Sequence, residues 1–497
     1  MLPCVSTHEA PPDVWARQQF QGIRLGHCAR RKRIVSYAQA LATQPGKSIP
    51  ELFARKYDID ATYDVLDQRE ATPDAIQASH RRLVRAELHT PGRYLLFEDT
   101  SYLSFSHRPM PVEGLGPIGR SSENGQGFLL HSILAVRAPD TARPDPSGHR
   151  PPFEVLGLAD QQYLVREPRP EGEPSDASKQ RLYRERESQR WIDSGHRLGP
   201  APADPAIRWV RVADREADIY EYMIECKRLG HGFIVRMSQD RVALDPADGQ
   251  RLGLVFEHAA ATEPVGGIYL DLRARPGQPA RRAQLLISFG PVRVQSPWRP
   301  GQAPGAGEPV DCFFVRVWEP APPEGVEPLE WNLYTDEPIA LLEDAVSVAM
   351  DYAARYLIEE FHKGLKTGLK AEALQMERGH RLFAAIAVMS VVALRLLDLR
   401  ELGRRLPEAP AASSGLTSEE LAILEVAVGR VVTTVAGVLL AVGRLGGHMN
   451  RRSDGMPGWL TLWRGMNKLR LLVEGARLAR MIDYNRAHEI DSKYDHL

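Results

Sequence analysis

The period of the hydrophobic positions changes along the chain, and the changes divide it. Up to about residue 85 the pattern is polar and helical, with a basic run, ARRKR, at 29–33. YLLFEDTSYLSFS (94–106) then alternates and is rich in aromatic residues, as strands are, with a predicted break around Asp99. RWVRVADREADIYEYMIECKRLG (208–230) predicts a strand ending near Asp214 and then a helix, and HGFIVRMS (231–238) the next strand. QLLISFG, VRVQS, CFFVRVW and WNLYT follow as β-like runs between about 250 and 335, parted by Pro/Gly turns such as RPGQAPGAGEP (299–309). Glycine- and proline-rich stretches at 112–127, 138–152 and 166–178 read as surface loops or mobile segments. A long helix is expected from near Pro338, and after residue 370 nearly all of the chain has helical periodicity. Strand, strand–helix, strands and long helix predict an α/β core holding a β-rich insertion at about 240–335. The expected domains are helical 1–85, mixed 86–370 and helical 371–497, with the strand order left open.

Composition narrows the class more than the function. At 497 residues the chain has room for several cores, and 43% hydrophobic with 26% charged residues is ordinary for a globular protein. A net charge of −1 announces no nucleic-acid partner, although a basic face can be balanced elsewhere. Cys4, Cys28, Cys226 and Cys312 are far apart, which fits a reducing compartment and neither a disulfide framework nor a zinc site. The N-terminus has no apolar signal core. The most apolar runs, 382–397 and 431–445, are short for a bilayer and contain or end near arginine. Buried helices, a cytoplasmic protein and no membrane partner are expected.

Candidate chemistry centres on YAARYLIEEFHKGLK (352–366). On a helix turning about 100° per residue, Tyr352, Arg355, Glu359 and Lys366 fall within a stripe about 60° wide, with His362 and Lys363 beside it. Leu357, Ile358, Phe361 and Leu365 occupy the opposite face and can meet a core. Glu360 is turned off the stripe and is the lesser candidate. Asp99 and Asp214 at strand ends could converge with Glu359 on one pocket, a donor set suited to Mg²⁺ or Mn²⁺ and to displacement at phosphorus. Arg355 and Lys366 would then grip phosphate, with Tyr352 donating a hydrogen bond. Spacing alone leaves two alternatives standing. An Asp after a strand is commonly a turn former, and paired carboxylates also serve glycoside hydrolysis, although the cationic stripe favours phosphate over sugar.

FEDTSYLSFSH (97–107), VADREADIYEY (212–222), FIVR (233–236), LEWNLYTDEP (329–338), YAARYLIEEFHKGLKTG (352–368) and RLGGHMNRRSDGMPGWLTLWRGM (444–466) run in an order that carries a resemblance. Together they resemble the DDE transposases of insertion-sequence family four, the group that includes the transposase of transposon five. The resemblance implies a ribonuclease-H-like catalytic core with a β-strand insertion, an N-terminal helical DNA-end-binding domain and a C-terminal helical dimerisation domain. It implies a metal-binding triad of Asp99, Asp214 and Glu359 holding two Mg²⁺ ions, with Mn²⁺ as substitute and no organic cofactor. Tyr352, Arg355 and Lys366 become supporting residues, Trp331 the residue that stacks on a flipped base, and Arg215, Glu216 and Arg236 contacts near the hairpin. Arg30, Arg31, Lys32 and Arg33 would meet DNA phosphates, and Trp459, Leu460 and Trp463 lie in the implied dimerisation region. The implied activity is cut-and-paste transposition of double-stranded DNA by a homodimer, through nicking, hairpin formation and joining to a target. A catalytically silent, transposase-derived DNA-binding protein and a stand-alone nuclease are the competing expectations.

Overall fold

The computed structural model describes residues 10–108, 110–118, 125–139, 153–168, 186–272, 281–297, 307–451 and 456–494. Most of the loop stretches expected at 138–152, 166–178 and 299–309, together with Cys4, lie outside them.

The chain opens with α1 (Pro12–Phe20), α2 (Cys28–Thr43), α3 (Ile49–Leu52), α4 (Lys56–Leu66) and α5 (Pro73–Leu88). Local chemistry sets their starts. The His27 side chain accepts from Ala29 N at the head of α2, and Glu51 accepts from Ser48 N at 2.7 Å at the head of α3. Then come β1 (Gly92–Ser104), β2 (Gly116–Pro117), β3 (Gln126–Arg137), β4 (Glu154–Leu164), α6 (Arg190–Leu198), β5 (Ile207–Ala213), α7 (Tyr220–Arg228) and β6 (Gly232–Arg236). The insertion holds β7 (Val242–Leu244), β8 (Arg251–Leu254), α8 (Val255–Ala261), β9 (Gly266–Leu272), β10 (Arg281–Val294), β11 (Val310–Trp318) and β12 (Glu330–Thr335). Helices complete the chain: α9 (Leu342–Ala353), α10 (Tyr356–Lys363), α11 (Gly379–Arg405), α12 (Ser418–Val428), α13 (Val435–Leu445) and α14 (Trp459–Tyr494).

These elements form two compact units. A helical unit is built from residues 1–83, 111–114 and 360–497, and a sheet unit from 84–110 and 115–359. In the sheet unit the described strands run in the order β2–β3–β1–β5–β6–β12–β11–β10–β7–β8, with β4 also on β3 and β9 also on β10. β3 is antiparallel to β1, whereas β5 and β6 are parallel to it through the βαβ crossover of α7. This is the ribonuclease-H-like arrangement. The insertion joins it directly, because β12 pairs antiparallel with β6 and so extends the same sheet. Trp191, Tyr222, Met223, Phe233, Val235 and Phe314 form part of its core.

The sheet departs from the sequence expectation in two places. No break occurs at Asp99: β1 continues through it, with Asp99 opposite Ser132 and Thr100 opposite His131. QLLISFG and VRVQS are one strand, β10, despite Pro291. β9 leaves β10 at Ile287 and β7 joins only at Arg293, so proline, which lacks an N–H, sits where one flank has no partner strand.

In the helical unit, α11 packs on α2 and α4, and Gln77 Nε2 donates to Ala387 O at 3.2 Å. The most apolar stretch of α11 is long enough to cross a membrane, but 88% of it is buried within the structure, as expected of a core helix. Gly46, at φ +77°, lets the chain after α2 approach closely. A Cβ there would stand 2.8 Å from Gly368 O and 3.2 Å from the Trp463 ring. Trp463 is therefore buried within this unit, while the Trp459 side chain lies outside the description.

Candidate active site

The long helix expected through residues 352–366 is interrupted. α9 begins only at Leu342, where Asp344 accepts from Ala340 N and Leu341 N, both at 2.9 Å. At its end the hydrogen bonds tighten: Arg355 N donates to Tyr352 O at 3.0 Å and Leu357 N to Ala354 O at 3.0 Å. α10 then starts afresh and gives way to a π-helical turn over Gly364–Gly368. The four residues therefore do not share one continuous helical stripe. Leu357, Ile358, Phe361 and Leu365 are fully buried as expected, but His362 is buried too and does not join the polar strip. Lys366 belongs to the helical unit, where its Nζ lies 3.4 Å from Glu372. Glu360, also in that unit, accepts from Arg400 at 2.7 Å.

Within the sheet unit two of the three carboxylates, Asp99 and Asp214, come together. Glu98 of β1 pairs in register with Ala213 of the parallel strand β5, so the next residues, Asp99 and Asp214, stand side by side on adjacent strands. Asp214 also caps a short turn by accepting from Glu216 N at 2.9 Å. Burial lifts the Asp214 carboxyl above its ordinary pKa, and the negative charge of Asp99 adds to that; the Glu216 N–H and Arg355 oppose it. The Arg355 side chain, only 13% exposed, reaches both sides. Its Nη1 lies 3.7 Å from Asp99 Oδ1 without a hydrogen-bond partner, and its Nη2 donates to Glu359. Burial works against that charge, yet Asp99, Glu359, Tyr352 and Asp214 together hold the guanidinium above its usual pKa.

An aromatic pair involves Tyr352, which closely precedes Arg355 in the sequence. Tyr352 is buried and meets Trp331 edge-on, with ring centroids 5.5 Å apart, while Trp331 remains half-buried on β12. Arg236 donates to Glu330 O at 2.9 Å, Arg215 is exposed, and Glu216 accepts from Arg190 at 2.6 Å. In the basic run, Arg30 pairs with Glu70 at 3.1 Å and Arg33 with Asp58 at 2.9 Å. Arg31 and Lys32 have no ion pair among the described residues, and Lys32 is exposed.

Among the described residues, no three His, Cys, Asp or Glu side chains converge closely enough to hold a metal ion. Asp99 and Asp214 nevertheless fit one: they are adjacent hard oxygen donors, Asp214 raised first by burial and further by the charge of Asp99, and a divalent cation relieves both. Glu359, 56% exposed and turned to Arg355, would have to leave that partner to join them.

Beneath the pair lies a network that the motifs did not reveal. Arg211 donates to both oxygens of Glu98, to Trp191 O at 2.7 Å and to Ser194 Oγ at 2.5 Å, and its guanidinium lies over Tyr222. Burial alone would lift Glu98, but Arg211 and His131 hold it well below the usual range. Thr100 links His131 at 2.9 Å to Arg190 at 3.0 Å, and Arg190 reaches Glu216. The available signal was one opposite charge in each of two apolar strands, YLLFE and WVRVA.

Comparison with protein families gives two matches. The transposase DNA-binding family model matches residues 12–71, and the transposase Tn5 dimerisation domain matches residues 391–486. Both matches fall in the helical unit, in the regions where the sequence resemblance placed DNA-end binding and dimerisation. Two domain matches of this kind, before and after a ribonuclease-H-like sheet in the sequence, support a Tn5-like transposase.

Proposed function

We propose that the protein is a cut-and-paste transposase that nicks the ends of its element, forms and opens a hairpin, and joins the freed 3′ ends to target DNA. The observation that carries this reading is the side-by-side placement of Asp99 and Asp214 with a partly unsatisfied Arg355 beside them. Asp99, Asp214 and Glu359 would hold two Mg²⁺ ions, or Mn²⁺ in their place. When bound, the ions would supply charge stabilisation to the attacking and leaving oxygens of each phosphoryl displacement.

The chain's own residues have separate tasks. Glu359 turning away from Arg355 frees the guanidinium fork for a phosphate oxygen, which it can grip in two places. Trp331, braced by Tyr352, offers a ring for an extruded base, and stacking of this kind is worth about 1–3 kcal/mol. Arg215, Glu216, Arg236 and Lys366 are proposed DNA contacts, and Arg31 and Lys32 are the members of the basic run best placed to meet backbone phosphates. Leu471, Leu478 and Ile482 leave an exposed apolar face along α14, which suits pairing with a second copy.

The Arg355–Glu359 pair also favours one rival, a DNA-binding protein without cleavage activity. A plasmid carrying this gene with its native flanking DNA separates the two when incubated with purified protein and Mg²⁺. Excised linear product is expected from the wild type, and none from Asp99→Ala, Asp214→Ala or Glu359→Ala, all three still binding DNA. Wild-type cleavage by any variant would refute its place in the triad, and binding without cleavage by every protein would establish the silent reading.

A further inference from the structure

The helical unit contains a cleft of about 480 Å³, counted out to its mouth, lined by Pro12, Ala42, Pro45, Arg395, Glu420 and Arg470 among others. Its walls come from the start of α1, the end of α2, and α11, α12 and α14. The notable lining is the two arginines. Arg395 lies over the Trp15 ring at 5.5 Å and donates through Nη2 to Gly415 O at 3.4 Å. Arg470 donates through Nη2 to Ala42 O at 2.9 Å. The remaining guanidinium contacts are incomplete: Arg395 Nη1 and Arg470 Nε and Nη1 are shut off from solvent and have no hydrogen-bond partner.

The one acidic side chain in the wall does not complete them. A Glu420 oxygen accepts from Thr417 N at 2.7 Å and Thr417 Oγ1 at 3.0 Å, closing the capping box of α12. Neither arginine has an ion pair among the described residues. Burial pushes Arg395 down to about 10 and Arg470 down to about 9; Glu420 opposes this for both, and Arg395 adds to it for Arg470. Both guanidinium groups still carry their protons at neutral pH. Two like charges thus face one cleft with donors to spare, an arrangement that burial disfavours unless an anion completes it.

We propose that this cleft binds a small doubly charged oxyanion of the phosphate class, gripped jointly by Arg395 and Arg470. Planar forks of N–H donors match the oxygens of such an anion. A duplex cannot enter a cleft of this size, so the occupant is a free anion or the phosphate of a small metabolite and not the DNA substrate. An occupant would tie α1 and α2, in the segment matched by the DNA-binding family, to α11, α12 and α14, in or overlapping the segment matched by the dimerisation family. The proposal stands apart from the reading of the active site.

Thermal unfolding of the full-length, metal-free protein in inorganic phosphate, against chloride at equal ionic strength, tests it. The wild type should gain at least about 2 °C in Tm, saturating with phosphate concentration. Arg395→Met and Arg470→Met should lose that gain and, in chloride, melt no lower than the wild type, because each removes an incompletely satisfied buried cation. Phosphate also stabilises proteins by exclusion, so an equal gain in wild type and variants would overturn the proposal. So would the absence of any gain, or variants that melt well below wild type in chloride, since the arginines would then be serving the fold.

Discussion

Glu98 and Asp99 are neighbours on β1, and their charges meet opposite surroundings. Glu98 is fully buried, and Arg211, His131, Ser194 and Tyr222 match its charge completely without any ligand. Asp99 is paired with Ser132 across the strand but looks toward a guanidinium 3.7 Å away that Glu359 also claims. One step along a strand thus separates a charge enclosed by the fold from one set beside Arg355, whose Nη1 has no hydrogen-bond partner. The difference gives a criterion for the whole molecule: completely bonded charges such as Glu98 report architecture, and incompletely bonded ones such as Arg355 report what the protein is built to hold.

The strongest way to break this comparison is on its buried side. Glu98→Ala or Arg211→Met alone should cost about 3–5 kcal/mol, because the remaining partner is left charged in the interior. Replacing both with methionine should cost far less, and urea unfolding of the single and double variants checks this. If the double variant lost the sum of the singles, the two charges would not be a matched pair.

A smaller effect lies in pH. His231 stacks near Trp209 in the same interior, and burial, helped by Arg211, lowers it from 6.5 to about 4. The unfolded chain takes up the proton near 6.5 while the folded chain resists until about 4. The corresponding stability is therefore complete above the higher value and is lost as pH falls between the two. His231→Gln should flatten the acid limb of the stability curve by about 1–3 kcal/mol between neutrality and pH 4.5. An unchanged slope would mean that another group carries it.

The smallest effect sharpens the unmatched side. Arg31→Ala or Lys32→Ala should each reduce the salt slope of DNA binding by about 1. Arg30→Ala and Arg33→Ala, whose charges already have partners, should move the slope less and cost about 0–1 kcal/mol of stability. Equal slopes for all four would dissolve the distinction between the two halves of the run.

Much of the fold was legible because the pattern is local. Alternation marked β1, β5, β6, β11 and β12, and the apolar face of α10 was placed correctly. Helical periodicity likewise marked the chain on both sides of the sheet. What could not be read was set by distant partners. The passage of β1 through Asp99 depends on pairing with β3, and the single strand through Pro291 depends on where β9 ends and β7 begins. The stripe argument failed at Ala354 and Arg355 because one tightened turn resets the rotation of everything after it. Asp99, Asp214, Arg355 and Glu359 were named from sequence, but Arg190 and the Glu98–Arg211 pair were not. An opposite charge in each of two apolar strands becomes a signal only once the strands are known to be neighbours.

The helical unit is assembled from the first 83 residues and the last 138, with the sheet unit's chain between them. On the ribosome this imposes an order. α2 and α4 emerge early, but α11, against which they pack, is synthesised more than 300 residues later. Until then α1, α2 and α4 cover one another but lack the cover that α11 supplies, and a chain truncated within the sheet could not complete the unit that contains the DNA-binding match. Folding of that unit therefore waits on the synthesis of α11.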